Sequence, residues 1–232
     1  MKYPNRIELE ISGEYALFSE PFTAADGEKL SYPVPTREAL KGILAGIYWK
    51  PTIIWYPDEL RVMNPISYAN TGRRCVRWNG GCSLSEHTML RRVRYQLRAH
   101  FEWNENREEL AGDRNEHRHF FGAQRRLARG GSLPLFLGTK SCAAQVSPCR
   151  FGEGEGYYDH DGRRDFGLMY CGAVYPDECF DEQTRSGLSV CLFRCVMENG
   201  IIAYPRPENC MRYFVKPMTP KPFGKERALE LD

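Results

Sequence analysis

Apolar and polar residues alternate at Ile7, Leu9 and Ile11, which predicts an N-terminal strand with one buried face. A loop rich in Pro, Ala, Asp and Gly follows from Glu20 to Lys29, and Leu30 to Pro35 reads as extended because each proline biases its predecessor away from helix. Thr36 is a candidate N-cap. Leu40, Ile43, Leu44, Ile47 and Tyr48 then recur at three and four, predicting a helix that buries one face and ends before Pro51. Thr52–Tyr56 and Leu60–Tyr68 are strand-like, with Asn64-Pro65 as a break or bulge. From His87 to Trp103 the period is two over many residues, which predicts one long strand, an arm of a protruding hairpin. Arg92, Arg94, Arg98 and His100 fall on one of its faces and Tyr95, Leu97, Ala99, Phe101 and Trp103 on the other.

Glu108 to Arg129 is charged but carries Phe120, Phe121, Leu127 and Ala128 at helical spacing, and Gly130-Gly131 supplies the stop. Leu133–Leu137 and Ala143–Val146 resemble strands, and the acidic, glycine-rich Phe151–Gly156 reads as a linker or flexible loop. Phe166–Val174, Leu188–Met197 and Ile201–Tyr204 are further strands, the last two joined through Asn199-Gly200, a strong hairpin signal; a Pro-rich irregular tail runs from Lys216 to Phe223. The order in residues 5–148 fits an α+β class built on a ferredoxin-like (RRM-like) βαββαβ unit. Residues 1–150 are therefore expected to form an RNA-binding domain with a protruding basic hairpin, and 151–232 a small antiparallel β-sheet region.

Composition narrows the class. The chain has 232 residues, 42% hydrophobic and 27% charged, with 12 Phe, 13 Tyr and 4 Trp, which excludes intrinsic disorder. No apolar run approaches the ~20 residues of a membrane helix and the N-terminus lacks a signal-peptide core, so a soluble, cytoplasmic protein is expected. Nine cysteines, an odd number without C-x-x-C spacing, indicate neither a disulfide framework nor a zinc ribbon. The net charge of +2 hides an asymmetry: between Arg73 and Arg150, 14 Arg and 1 Lys face 7 acids, a balance of +8 that leaves −6 elsewhere.

The arginines cluster as Arg73, Arg74 and Arg77; Arg91, Arg92, Arg94 and Arg98; and Arg125, Arg126 and Arg129. Arg suits phosphate and stacks on bases, and the interleaved Trp78, Tyr95, Phe101 and Trp103 offer stacking platforms. Pairing of these arginines with acids on a solvated surface is the competing reading; three clusters in one segment favour a polyanion.

Tyr32-Pro33-Val34-Pro35-Thr36, Gly42-Ile43-Leu44, Ile47-Tyr48-Trp49-Lys50-Pro51, Asn64-Pro65-Ile66 and Phe136-Leu137-Gly138-Thr139-Lys140, in that order, resemble the Cas-five family of CRISPR-associated proteins, nearest its type I-C form. The resemblance covers about Tyr32 to Cys142. It implies a ferredoxin-like RNA-binding domain with a C-terminal β-sheet, and a RAMP-type endoribonuclease that cuts precursor CRISPR RNA at the base of the repeat stem-loop. It further implies that the product's 5′ handle is retained as the chain becomes a subunit of the Cascade surveillance complex. Partners there are the Cas-seven backbone filament and the large subunit that reads the PAM, with target DNA met only through the complex. Neither metal nor other cofactor is implied.

The family's catalytic set, a Tyr and a later Lys-His pair, carries over to Tyr48 and to Arg118-His119, with Arg in place of the usual Lys and His117 as a second candidate histidine. Arg keeps the charge but is a poor proton donor. Metal-free cleavage uses the RNA's own 2′-OH as nucleophile and leaves a 2′,3′-cyclic phosphate. On this reading His119 transfers protons, Arg118 stabilises charge on the phosphorane, and Tyr48 orients the nucleophile or shares its proton. The remaining arginines, with His100 and His117, are expected to contact RNA. The bland alternatives are a core tyrosine at 48 and solvated histidines at 117 and 119. A non-catalytic handle-binding subunit of the complex is the second function these residues allow.

Overall fold

The computed structural model describes residues 5–21, 29–76, 80–105, 108–176 and 179–219. In chain order the elements are β1 (Arg6–Ala16), β2 (Lys29–Leu30), α1 (Arg37–Ile47), β3 (Ile53–Val62), β4 (Tyr68–Val76) and β5 (Cys82–Trp103). A 3₁₀ turn (Glu108–Asp113), α2 (Glu116–Leu127), β6 (Gln145–Pro148) and β7 (Arg163–Val174) follow. The one-turn α3 (Glu182–Arg185), β8 (Gly187–Glu198), β9 (Ile201–Ala203) and β10 (Met211–Pro217) complete the order. The protein is α+β with a mostly antiparallel sheet; among the described strands only β2 runs parallel to its neighbour. Among the described residues no helix is long and apolar enough to cross a membrane.

β5 is the spine. From Val93 to Phe101 its odd-numbered residues are buried, as the sequence pattern requires, with Arg94, Arg98 and His100 less so between them. The first half pairs with β4, from Tyr68 opposite Leu90 to Val76 opposite Cys82, forming the expected hairpin. The second half lies between β1, with Arg6 opposite His100, and β3, with Ile53 opposite Trp103. Arg92 sits where the two halves meet, at φ 50°, and the Asn64 amide donates to its carbonyl at 2.8 Å.

The expected strands at 52–56 and 60–68 are redrawn. β3 runs through Pro57 to Val62, with a register shift between Pro57 and Glu59 that absorbs a residue unable to donate a ladder hydrogen bond. The segment Glu108–Arg129 is a 3₁₀ turn and a helix, because the Asn115 side chain accepts from the Arg118 amide and starts α2 afresh. Gly130 and Gly131, at φ 82° and 105°, end it as expected, and the Gly131 amide donates to the Arg126 carbonyl at 2.9 Å. Of the strands expected at 133–137 and 143–146, only an isolated bridge between Phe136 and Ala143 and the short β6 form. The tail expected to be irregular from Lys216 begins inside β10; its residues from 220 onward lie outside the described set.

One sheet continues through both parts of the chain, in the order β10-β8-β9-β3-β5-β1-β6. Both helices pack on one of its faces. Leu40, Ile43, Leu44 and Ile47 of α1 and Phe120, Ala123 and Leu127 of α2 share a core with Ile7, Leu9, Trp55, Leu97 and Phe101. Met169, Cys171, Cys191 and Cys195 of β7 and β8 belong to the same core.

The glycine-rich turn after β6, expected to be a linker or flexible loop, is tied down on the opposite face. Buried Arg61 donates to both carboxylate oxygens of Asp159, at 3.0 and 2.6 Å, to the carbonyls of Glu153 and Gly154, and to Gln96 Oε1. This guanidinium, the largest influence on Asp159, holds that carboxyl below the usual carboxylate range. Replacing Arg61 with Leu takes the guanidinium from the Asp159 carboxylate and the donor from the Gly154 carbonyl, while the Gly156 amide still reaches Asp159 and Gln96 Nε2 still reaches the Glu153 carbonyl. The variant is expected to lose about 3–5 kcal/mol in urea unfolding; a loss below about 1 kcal/mol would show that other contacts hold the turn.

Candidate active site

α1 and α2 meet at the site. Tyr48 is the residue at which α1 stops: its amide donates to the Leu44 carbonyl, but its own backbone is extended, at φ −152°. Its carbonyl accepts from the Trp55 indole at 2.7 Å, which fixes the turn into β3. Tyr48 is 6% exposed, and His119, on the first turn of α2, is 0% exposed. Tyr48 Oη and His119 Nδ1 are 2.9 Å apart. Phe101 and Trp103 of β5 close the imidazole edge-on, with ring centroids at 6.2 and 5.5 Å.

The other imidazole nitrogen decides the direction of that bond. His119 Nε2 lies 2.8 Å from the Asp113 main-chain oxygen, which can only accept, so Nε2 carries a proton. In the neutral ring Nδ1 then offers its lone pair, and Tyr48 donates to it. The Asp113 carboxylate lies 3.6 Å from Nε2, and it also accepts from Thr52 Oγ1 and from Arg118, each at 3.0 Å.

Gly122 explains how a tyrosine from α1 can lie across α2. A Cβ there would stand 3.1 Å from Tyr48 Cε2 and 3.4 Å from its hydroxyl. Arg118, Gly122, Arg125, Arg126 and Arg129 recur at three and four, so arginines flank the glycine along one stripe of the helix. The Arg126 guanidinium stands 5.8 Å from the Tyr48 ring centre and donates to Ser132 Oγ, which donates in turn to the Ile47 carbonyl. Burial, and secondarily the Asp113 carboxylate, push the Tyr48 phenol above its ordinary value; Arg118, Arg126 and Arg125 pull it down by less. Tyr48 at rest is a phenol whose proton points at a base.

The expected basic surface is divided between two faces of the sheet. Arg118, at 66% side-chain exposure, together with Arg125, Arg126 and His117, lies on the exposed part of α2, with exposed Arg129 just past its end, and the His117 ring is 4.6 Å from that of Phe121. Arg94, Arg98 and His100 point to the opposite face of β5, where the sheet supplies carboxylates. Arg94 pairs with Glu10 at 2.8 Å and Arg98 with Glu8 and Glu59 at 3.0 and 2.6 Å. His100 lies 2.7 Å from Asp58 and 3.3 Å from Glu102, and Arg91 and Arg92 approach Glu14 at 3.5 and 3.8 Å. These acids come from β1, β3 and β5, brought alongside by register. Arg74 is exposed on the β4–β5 hairpin; the Arg73 side chain, Arg77 and Trp78 lie outside the described residues. Sequence reasoning missed Asp113, Thr52 and Ser132. It also passed over Gly122, although a lone glycine inside a helix costs about 1 kcal/mol and signals a close approach.

Comparisons with known proteins agree with this architecture. A model of the family described as CRISPR-associated protein (Cas_Cas5) matches residues 6–205. A CRISPR pre-crRNA endoribonuclease Cas5d of Mannheimia succiniciproducens is 44% identical over 82 residues, 35% of this chain and 34% of that protein. A protein of the same name from Thermus thermophilus is 48% identical over 46 residues, 20% and 19% of the two chains. The match thus spans about a third of the length of the first relative and a fifth of the second. A crystal structure of a CRISPR-associated protein superposes with a TM-score of 0.74 at 29% identity, covering 92% of this chain and 99% of that one. A functionally uncharacterized protein from Streptococcus mutans gives 0.71 at 31%, covering 90% and 97%.

The charged face makes its own prediction. The Asp58 carboxylate, with Glu102 in support and against the opposing effect of burial, raises the His100 imidazole above 6.5. Its stabilising contribution is therefore complete below the unfolded value and is lost as pH rises through the folded one. The stability difference between wild type and His100→Gln, measured by urea unfolding, should be largest near pH 6 and shrink toward pH 9. A difference independent of pH would contradict the pairing.

Proposed function

The chain belongs to the Cas5 family of CRISPR-associated proteins, and on that premise we propose that it is the endoribonuclease that cuts precursor CRISPR RNA at the base of the repeat stem-loop. It then keeps the 5′ handle as a subunit of a surveillance complex, beside the Cas-seven backbone and the large PAM-reading subunit. The curated relatives' names support this reading. So does the strand order β6-β1-β5-β3 with two helices on one face, which we read as a ferredoxin-like domain. The single observation that carries the chemistry is the hydrogen bond from Tyr48 to the fully buried His119, beside the arginines of α2.

Because His119 has no open face, it acts through Tyr48. The Tyr48 oxygen takes the proton of the RNA 2′-OH as it passes its own to His119 Nδ1. The 2′-oxygen attacks the adjacent phosphorus and the bond to the 5′-oxygen breaks. That oxygen takes a proton from water, leaving a 2′,3′-cyclic phosphate and a 5′-OH, and the imidazolium returns its proton through Tyr48. Arg118 and Arg126 pair with the non-bridging oxygens, where developing charge is greatest. Arg125, Arg129, His117 and Arg74 of the hairpin extend the phosphate contacts. The chemistry uses only these side chains and the RNA, with no metal.

The test is cleavage of a labelled repeat stem-loop RNA in excess EDTA. Wild type should cut at one position and leave a cyclic phosphate, while Tyr48→Phe and His119→Ala should each lose about 10²-fold or more in rate. Product affinity should fall steeply with salt as phosphate contacts release counterions. Handle binding with no cutting would make the chain a non-catalytic assembly subunit.

A further inference from the structure

Asp113 stands where the 3₁₀ turn ends and α2 is about to begin, and three parts of the site converge on it. Its main-chain oxygen accepts from His119 Nε2 at 2.8 Å and also from the Asn115 amide at 2.8 Å. One carboxylate oxygen accepts from Arg118 and the other from Thr52 Oγ1, just before β3, each at 3.0 Å. The second of these oxygens is the one 3.6 Å from Nε2. A residue needed only to start α2 would not be placed so, since Asn115 already supplies the N-cap.

We propose that Asp113 is the positioning residue of this site. Its main-chain oxygen fixes the histidine tautomer that turns a lone pair toward Tyr48, and its carboxylate steadies the imidazolium formed when Tyr48 passes its proton inward. The same carboxylate holds Arg118 at the mouth until a phosphate replaces it. This inference rests on the proposed nuclease reading. The charged groups that act on Tyr48 are Asp113 in the turn before α2 and Arg118, Arg125 and Arg126 on α2. From β5, the rings of Phe101 and Trp103 close on His119. Asp113 is thus the one carboxylate that acts on the pair among these groups.

The roles of its two oxygen types are separable. Asp113→Asn removes the charge and keeps the main-chain oxygen, so the tautomer should persist; Thr52→Val removes one donor to the carboxylate and leaves the charge. Asp113→Asn should lower the single-turnover rate at saturating repeat RNA about 10–100-fold, with half-saturation changed less than about twofold. Thr52→Val should lower it less, in the same direction. Ring nitrogen shifts of His119 should report the Nε2–H tautomer in both variants.

Wild-type rates in Asp113→Asn would overturn the inference and leave the nuclease reading standing. Equal losses of rate and affinity would overturn it in favour of a merely structural role. If Asp113→Asn fails to fold, an unchanged rate in Thr52→Val overturns it. Wild type that binds the repeat stem-loop and never cuts it overturns the nuclease reading itself, and the inference with it.

Discussion

A histidine with no contact to water must find both of its hydrogen-bond partners inside the protein, and much of the site's geometry follows from that requirement. His119 finds the Asp113 carbonyl on one side and the Tyr48 hydroxyl on the other. Meeting it means that α1 must end at Tyr48, that α2 must begin after a separate turn, and that Gly122 must leave room for the tyrosine ring. An unmet partner would cost about 1–3 kcal/mol of desolvation. The result is a proton acceptor kept dry behind one hydroxyl, with guanidinium groups outside it.

β5 gives this arrangement its support and also separates it from the rest of the charge. Alternation along a strand sends successive side chains to opposite faces. Phe101 and Trp103 therefore close the histidine, while Arg94, Arg98 and His100 meet carboxylates from β1, β3 and β5 itself. Clustering of arginine in sequence and clustering in space are different things. The stripe on α2 is a cluster in both; the run on β5 is taken up by ion pairs.

The long alternation of β5, the apolar stripe of α1, the double-glycine stop of α2 and the hairpin at Asn199-Gly200 were all legible in the sequence, because each is a local signal. The division of 108–129 was not, since the apolar positions that predict a helix, Phe120, Phe121, Leu127 and Ala128, all follow the Asn115 cap and none marks where the helix begins. Phe151–Gly156 reads as loose because its composition does; the group that holds it, Arg61, lies some 90 residues earlier. Tyr48 and His119 were legible only through a family resemblance. Nothing in their spacing of 71 residues links them, and on pattern alone Tyr48 is a core residue, which it also is. Asp113 contributes a main-chain oxygen, which leaves no mark in composition.

The claim on which the account turns is that Tyr48, and not His119, meets the RNA. A crystal structure of the protein with a repeat stem-loop carrying 2′-deoxyribose at the cut nucleotide tests it directly. The account predicts the Tyr48 hydroxyl as the nearest protein group to that 2′ position, the scissile phosphate between Arg118 and Arg126, and His119 still bonded to Tyr48 and Asp113. A His119 nitrogen in direct contact with the RNA, or the phosphate seated over the arginines of β5, would contradict it.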